Sequence, residues 1–154
     1  MAIPKVGTKA PVFKSVNQAG EAISSADYKG KTLVLYFYPK DNTPGCTVQA
    51  CALKDGHKKI LAKGAAVVGV SPDSPKSHVK FIEKFDLPFD LISDEDKSVC
   101  KAFGVWVKKS MYGKEYMGVA RTTFIIDGKG VITHVFEKVK PAEHLDDVLA
   151  VLKK

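Results

Sequence analysis

The stretch from Leu33 to Cys51 constrains this chain more than any other. Leu33-Val34-Leu35-Tyr36-Phe37-Tyr38 is an apolar, β-type run. It stops at Pro39, which has no N–H for a ladder and so suits a strand end. A short polar loop follows, and Thr43-Pro44 then has the form of a helix N-cap with proline in the first helical position. Cys46 falls in the first helical turn, where unpaired N–H groups and the positive end of the helix dipole favour an anion. Thiols so placed are drawn from about 8.5 into the ~3.5–7.5 range and become thiolate nucleophiles.

The rest of the chain supplies an alternating set of strands and helices around this junction. Val12 to Val16 and Glu21 to Ile23 flank Asn17-Gln18-Ala19-Gly20 and predict an N-terminal β-hairpin. Residues 43–63 predict one long helix with Ala50, Leu53, His57, Ile60 and Leu61 in a core stripe, closed by Lys63-Gly64. Ala66 to Ser71 is short and apolar throughout, as in a strand buried on both faces. Pro72-Asp73-Ser74-Pro75 caps a helix running to Phe85, with Val79, Phe81, Ile82 and Phe85 facing the core. Phe89 to Ile92 predicts a strand, and Glu95 to Phe103 a short helix ended by Gly104. A hairpin is expected over Val105 to Val119 around Tyr112-Gly113, then strands Thr122 to Ile126 and Val131 to Phe136 about Asp127-Gly128-Lys129-Gly130. Pro141 opens a final helix with Leu145, Val148, Leu149 and Leu152 on one face. The layout predicts an α/β protein with a mixed central sheet flanked by helices, which fits a thioredoxin-like fold.

Size and charge narrow the class further. At 154 residues and 45% apolar composition the chain suits a single domain over 1–154 with a real core. No run approaches the ~18 apolar residues that span a bilayer, and Met1 to Val6 has no apolar segment of a secretory signal, so a cytoplasmic location is expected. Three cysteines do not make a disulfide framework. The formal charge of +7 comes from scattered lysines such as Lys58-Lys59, Lys108-Lys109 and Lys153-Lys154, without an aromatic platform for nucleic acid.

Pro39-x-x-x-Thr43-x-x-Cys46 resembles the active-site signature of peroxiredoxins. The longer run Phe37-Tyr38-Pro39…Thr43-Pro44-Gly45-Cys46-Thr47…Ala50-Cys51 is similar to the peroxiredoxin Q, or bacterioferritin-comigratory, subfamily, and the likeness begins at Gly7-x-x-Ala10-Pro11-x-Phe13. The resemblance implies a thioredoxin-like fold and thiol-dependent reduction of hydrogen peroxide and alkyl hydroperoxides, with no metal, haem or other cofactor. Cys46 is then the candidate nucleophile, with the Thr43 hydroxyl beside the sulfur or the peroxide and Pro39 as an apolar wall against water. Both also have purely structural readings, Thr43 as a cap and Pro39 as a strand end. By resemblance Arg121, before Thr122 to Ile126, brings a fixed positive fork to the site. Gln49 stands where relatives often have glutamate, and an amide there can bond Arg121 without neutralising it. Cys51 matches the resolving position, where a thiol condenses with the Cys46 sulfenic acid. The resemblance further implies a monomer recycled by thioredoxin, with a glutaredoxin-like protein as the alternative donor.

Other chemistries fit less well. Zinc and iron–sulfur sites need more ligands than Cys46-x4-Cys51 offers, and a thiol–disulfide oxidoreductase would carry Cys-x-x-Cys. Cys100 is expected to be a small packed residue. His57, His78, His134 and His144 are dispersed and are read as surface or core residues.

Overall fold

The computed structural model describes residues 3–152, so Met1-Ala2 and the Lys153-Lys154 pair lie outside the described residues. Lys14–Val16 (β1) and Ala22–Ser24 (β2) form the expected N-terminal hairpin, followed by a 3₁₀ turn at Ser25–Tyr28. The apolar run becomes β3, Thr32–Phe37, in the middle of a five-stranded sheet. On one side it pairs in parallel with Ala65–Ser71 (β4), which pairs in parallel with Asp90–Ser93 (β5). On the other side it pairs antiparallel with Thr122–Ile126 (β8), which pairs antiparallel with Ile132–Phe136 (β9). Trp106–Met111 (β6) and Lys114–Val119 (β7) form a separate hairpin. The sheet is mixed, as the sequence predicts.

Helices cover both faces because the strands are apolar on both. Leu33, Leu35 and Phe37 face one way with Val70, Phe124 and Phe103, whereas Val34, Tyr36 and Tyr38 face the other with Leu53, Phe81 and Val148. The second face carries Pro44–Asp55 (α1), His57–Ala62 (α2), Pro75–Phe85 (α3) and His144–Val151 (α5). The first carries Ser98–Ala102 (α4) and the N-terminal hairpin.

Several elements differ from expectation for local physical reasons. The single helix predicted over 43–63 is two, α1 and α2, divided at Gly56. A side chain at Gly56 would overlap Leu145 of α5, which packs straight onto the junction. The break leaves Leu61 52% exposed, outside the core stripe assigned to it. On α3 it is His78, next to Val79, that is fully buried. Helix α4 is shorter than predicted, its start held by the Asp94 carboxylate, which accepts the Val99 and Cys100 N–H groups at 3.0 and 2.8 Å. The final helix begins at His144 rather than Pro141.

Candidate active site

Strand register brings Cys46 and Arg121 together. Phe37 at the end of β3 pairs with Thr122 at the start of β8, so Arg121 emerges beside the point where the chain turns into α1. Its Nη2 donates to Cys46 Sγ at 3.3 Å. Gly45 makes room for this approach, since a Cβ there would meet Nη2 at 3.2 Å. Cys46 is 2% exposed, so its sulfur is more enclosed than a helix-start position alone implies. The α1 N-terminus is built as predicted in its backbone: the Thr43 carbonyl accepts the Thr47 N–H at 2.8 Å, with Pro44 in the first turn.

Behind the guanidinium lies a buried polar row. Arg121 Nη1 donates to Gln49 Oε1 at 2.6 Å, Gln49 Nε2 meets His144 Nδ1 at 3.1 Å, and His144 Nε2 meets Thr123 Oγ1 at 2.7 Å. Gln49, His144 and Thr123 are fully buried. Burial, reinforced by the Arg121 charge, pushes the His144 pKa down to about 4, so the ring is neutral. Burial also raises the Tyr36 phenol well above its ordinary range, and a charge on Cys46 adds to this. On β6, burial and then Arg121 lower the Lys109 pKa, while Cys46 opposes the shift, so a second cation borders the site.

The other predicted residues are placed unevenly. Thr43 Oγ1 donates to the Lys40 carbonyl at 3.0 Å and makes no side-chain cap, which corrects the side-chain capping expected of it. Pro39 is half-buried just past the end of β3. Cys51 is half-buried in α1, on the same helix as Cys46. Cys100 lies in α4 across the sheet, fully buried, and burial together with Asp94 pushes its thiol pKa up. All three cysteines are free.

Sequence reasoning missed a second buried network, under the loop that leads into α1. The Asp41 carboxylate accepts from Tyr38 Oη at 2.6 Å and from Ser77 Oγ at 2.8 Å, and lies 2.6 Å from His78 Nδ1. His78 Nε2 donates to the Ile92 carbonyl at 2.9 Å, and the Asp41 N–H donates to Asp73 Oδ2 at 2.7 Å. Among the described residues Asp41, Asp73 and His78 are the group close enough to hold a metal ion, within 4.8 Å of one another. Both His78 nitrogens and both Asp41 oxygens already face hydrogen-bond partners, so the cluster is built as a brace for the 39–43 loop. Nothing in the local sequence signals it, because its members come from the loop after β3, the loop between β4 and α3, α3 itself and β5.

The AhpC/TSA family matches residues 6–135. Peroxiredoxin Bcp of Escherichia coli (strain K12) is 47% identical over 150 residues, covering 97% of this chain and 96% of the relative. Peroxiredoxin Bcp of Bacillus subtilis (strain 168) is 46% identical over 149 residues, covering 97% and 95%. Among solved structures, the bacterioferritin comigratory protein of Xanthomonas campestris superposes with a TM-score of 0.86 at 39% identity, over 91% of this chain and 89% of that one. That structure was described in terms of alkyl peroxide reduction activity. The fold is accordingly that of the thioredoxin-like peroxiredoxins. Likeness of this degree along nearly the whole chain, with the Cys46–Arg121 contact in place, makes the protein a member of the AhpC/TSA family, in its peroxiredoxin Q/Bcp group.

Proposed function

We propose that the chain, as one catalytic domain, is a thiol peroxidase that reduces hydrogen peroxide and alkyl hydroperoxides through Cys46. The observation that carries this is the Arg121 guanidinium 3.3 Å from a sulfur set in the first turn of a helix. In the first step the Cys46 thiolate attacks one peroxide oxygen and the O–O bond breaks. The sulfur gains that oxygen as sulfenic acid, and the leaving hydroxide or alkoxide takes up a proton to give water or alcohol. Arg121 stabilises the thiolate and the charge on the departing oxygen. Pro39 and the enclosed sulfur limit water, and Thr43 contributes its hydroxyl to peroxide once the Lys40 bond is exchanged. Cys51 then condenses with the sulfenic acid, forming a disulfide and releasing water. Thioredoxin returns both thiols by thiol–disulfide exchange.

Cys46, Gln49, Arg121 and His144 all belong to one chain, so the site is complete in a monomer. Three cysteines without a disulfide framework suit a reducing compartment, and the cytoplasm is the location this proposal assigns. No helix among the described residues is long and apolar enough to cross a membrane. The test is peroxide-dependent NADPH oxidation with thioredoxin and its reductase, run beside a glutaredoxin system to separate the donors. Cys46→Ser should abolish turnover, because a serine hydroxyl stays protonated. Cys51→Ser should react once with peroxide and then stall, and Cys100→Ser should match the parent. Turnover surviving in Cys46→Ser would refute the assignment, and a Cys46–Cys100 bond in peroxide-treated protein would remove Cys51 from the cycle.

A further inference from the structure

We propose that His144 is a positioning residue for Arg121, acting through the side-chain amide of Gln49. The inference rests on the peroxidase function proposed above and concerns how its guanidinium is held. Donor logic along the row leaves a single arrangement. Arginine has donors only, so the Gln49 atom that faces Nη1 at 2.6 Å is the amide oxygen. The other end of that amide is an NH₂ group, which can only donate, so His144 Nδ1, 3.1 Å away, must be a bare acceptor. A neutral ring with a bare Nδ1 carries its hydrogen on Nε2, and Nε2 faces Thr123 Oγ1 at 2.7 Å.

This arrangement matters because Gln49, unlike a carboxylate, has two unlike ends. Turned over, it would present NH₂ to the guanidinium, a donor against a donor, and Arg121 would lose its anchor beside Cys46. The amide is fully buried, so water cannot correct its orientation. His144 supplies the orientation from a distant part of the chain, with the Tyr36 ring at 5.8 Å fixing the other side of the imidazole. Its place is set by α5, whose Leu145 packs onto Gly56 at the end of α1. Protonation of Nδ1 would remove the acceptor, and the same burial that makes the row effective keeps the ring neutral.

The experiment is a double-mutant cycle between position 144 and position 49, read by Cys46 oxidation in a single turnover and by ultraviolet thiolate absorbance at neutral pH. His144→Phe keeps a flat ring but removes the acceptor, and should slow oxidation about tenfold and lower the thiolate signal. In a Gln49→Glu background either carboxylate oxygen can accept from Arg121, so His144→Phe should change the rate less than about twofold. Equal slowing in both backgrounds would mean that His144 only packs, and no slowing in the native background would likewise overturn the role. Ring-nitrogen NMR shifts of the unmutated protein give an independent decision if His144→Phe does not fold. They should show hydrogen on Nε2 and a bare Nδ1, and hydrogen on Nδ1 would defeat the proposal. Should Cys46 prove inert to peroxide, the proposed function fails while the thiolate signal and the ring tautomer still decide the role of His144.

Discussion

At the scale of single residues, His144 links the site to folding stability through its protonation. Its pKa is about 4 in the fold against an ordinary 6.5, chiefly from burial and then from Arg121, while its other close neighbours, Gln49, Thr123 and the Tyr36 phenol, are uncharged. Between those two values the unfolded chain binds a proton that the folded chain does not. The stability tied to a neutral His144 is therefore fully present above about pH 6.5 and is lost as pH falls toward 4, a change of up to roughly 3 kcal/mol. Urea unfolding of the parent should weaken over this window more steeply than that of His144→Phe, and parallel pH profiles would contradict the buried neutral ring. The place of Cys46 at a helix start was legible because a strand end and a Thr-Pro helix start coincide there, whereas its contact with Arg121 was expected only from the family resemblance. The histidines were not legible. His144 meets Gln49 across 95 positions and His78 meets Asp41 across 37, so only tertiary structure reveals their partners. The Thr43 hydroxyl was misplaced for a related reason: Lys40, three residues back, offers a carbonyl that competes with the helix N–H groups.

At the scale of elements, the site depends on how α1, α2 and α5 meet. Gly56 ends α1 with φ −93° and ψ 4°, a conformation open to any residue, so its role is space and not backbone freedom. The Leu145 methyls occupy the place of its Cβ. Gly56→Ala should thus push α5 outward, destabilise the fold by about 1–3 kcal/mol and loosen the His144 contact one residue away. The predicted signature is a lower unfolding midpoint with a slowed Cys46 oxidation, and a variant as stable and as fast as the parent would show that α5 does not rest on Gly56. Gly69 on β4 is similarly crowded, with Leu91 Cδ2 and Tyr36 Cζ at 2.7 and 2.8 Å from the position of a Cβ. Most strands and α3 were readable from the sequence, since their apolar runs and the Ser74-Pro75 start agree with what tertiary packing demands. The Gly56 break was not, because helical spacing continues through it and the reason for the break, Leu145, lies far along the chain.

At the scale of the whole molecule, the proposed Cys46–Cys51 disulfide requires part of the fold to open. Cys46 and Cys51 stand five positions apart on α1. At 1.5 Å rise and about 100° per residue their Cα atoms are roughly 8–9 Å apart and point about 140° away from each other. A disulfide spans at most about 7 Å between Cα atoms, so it cannot form on an intact helix. Cys100 offers no substitute, being buried in the core on the opposite face of the sheet. For the proposed bond to form, the first turns of α1 would have to unwind, which would break the Thr47–Thr43 bond and pull Gln49 from both Arg121 and His144. Gly45, Thr47 and Val48 are weak helix formers, and Val48 is exposed, so this end resists little. The opening has natural limits on both sides. Asp41 is pinned by Tyr38, Ser77 and His78 before the helix, and Leu53 is fully buried in the core after it. Oxidation should therefore lower helical circular dichroism and speed amide exchange over 45–52, while 53–62 and the central sheet keep their protection. Equal protection over 45–52 in the reduced and the fully disulfide-bonded protein would rule out unwinding and direct the search for the resolving thiol to a second copy of the chain.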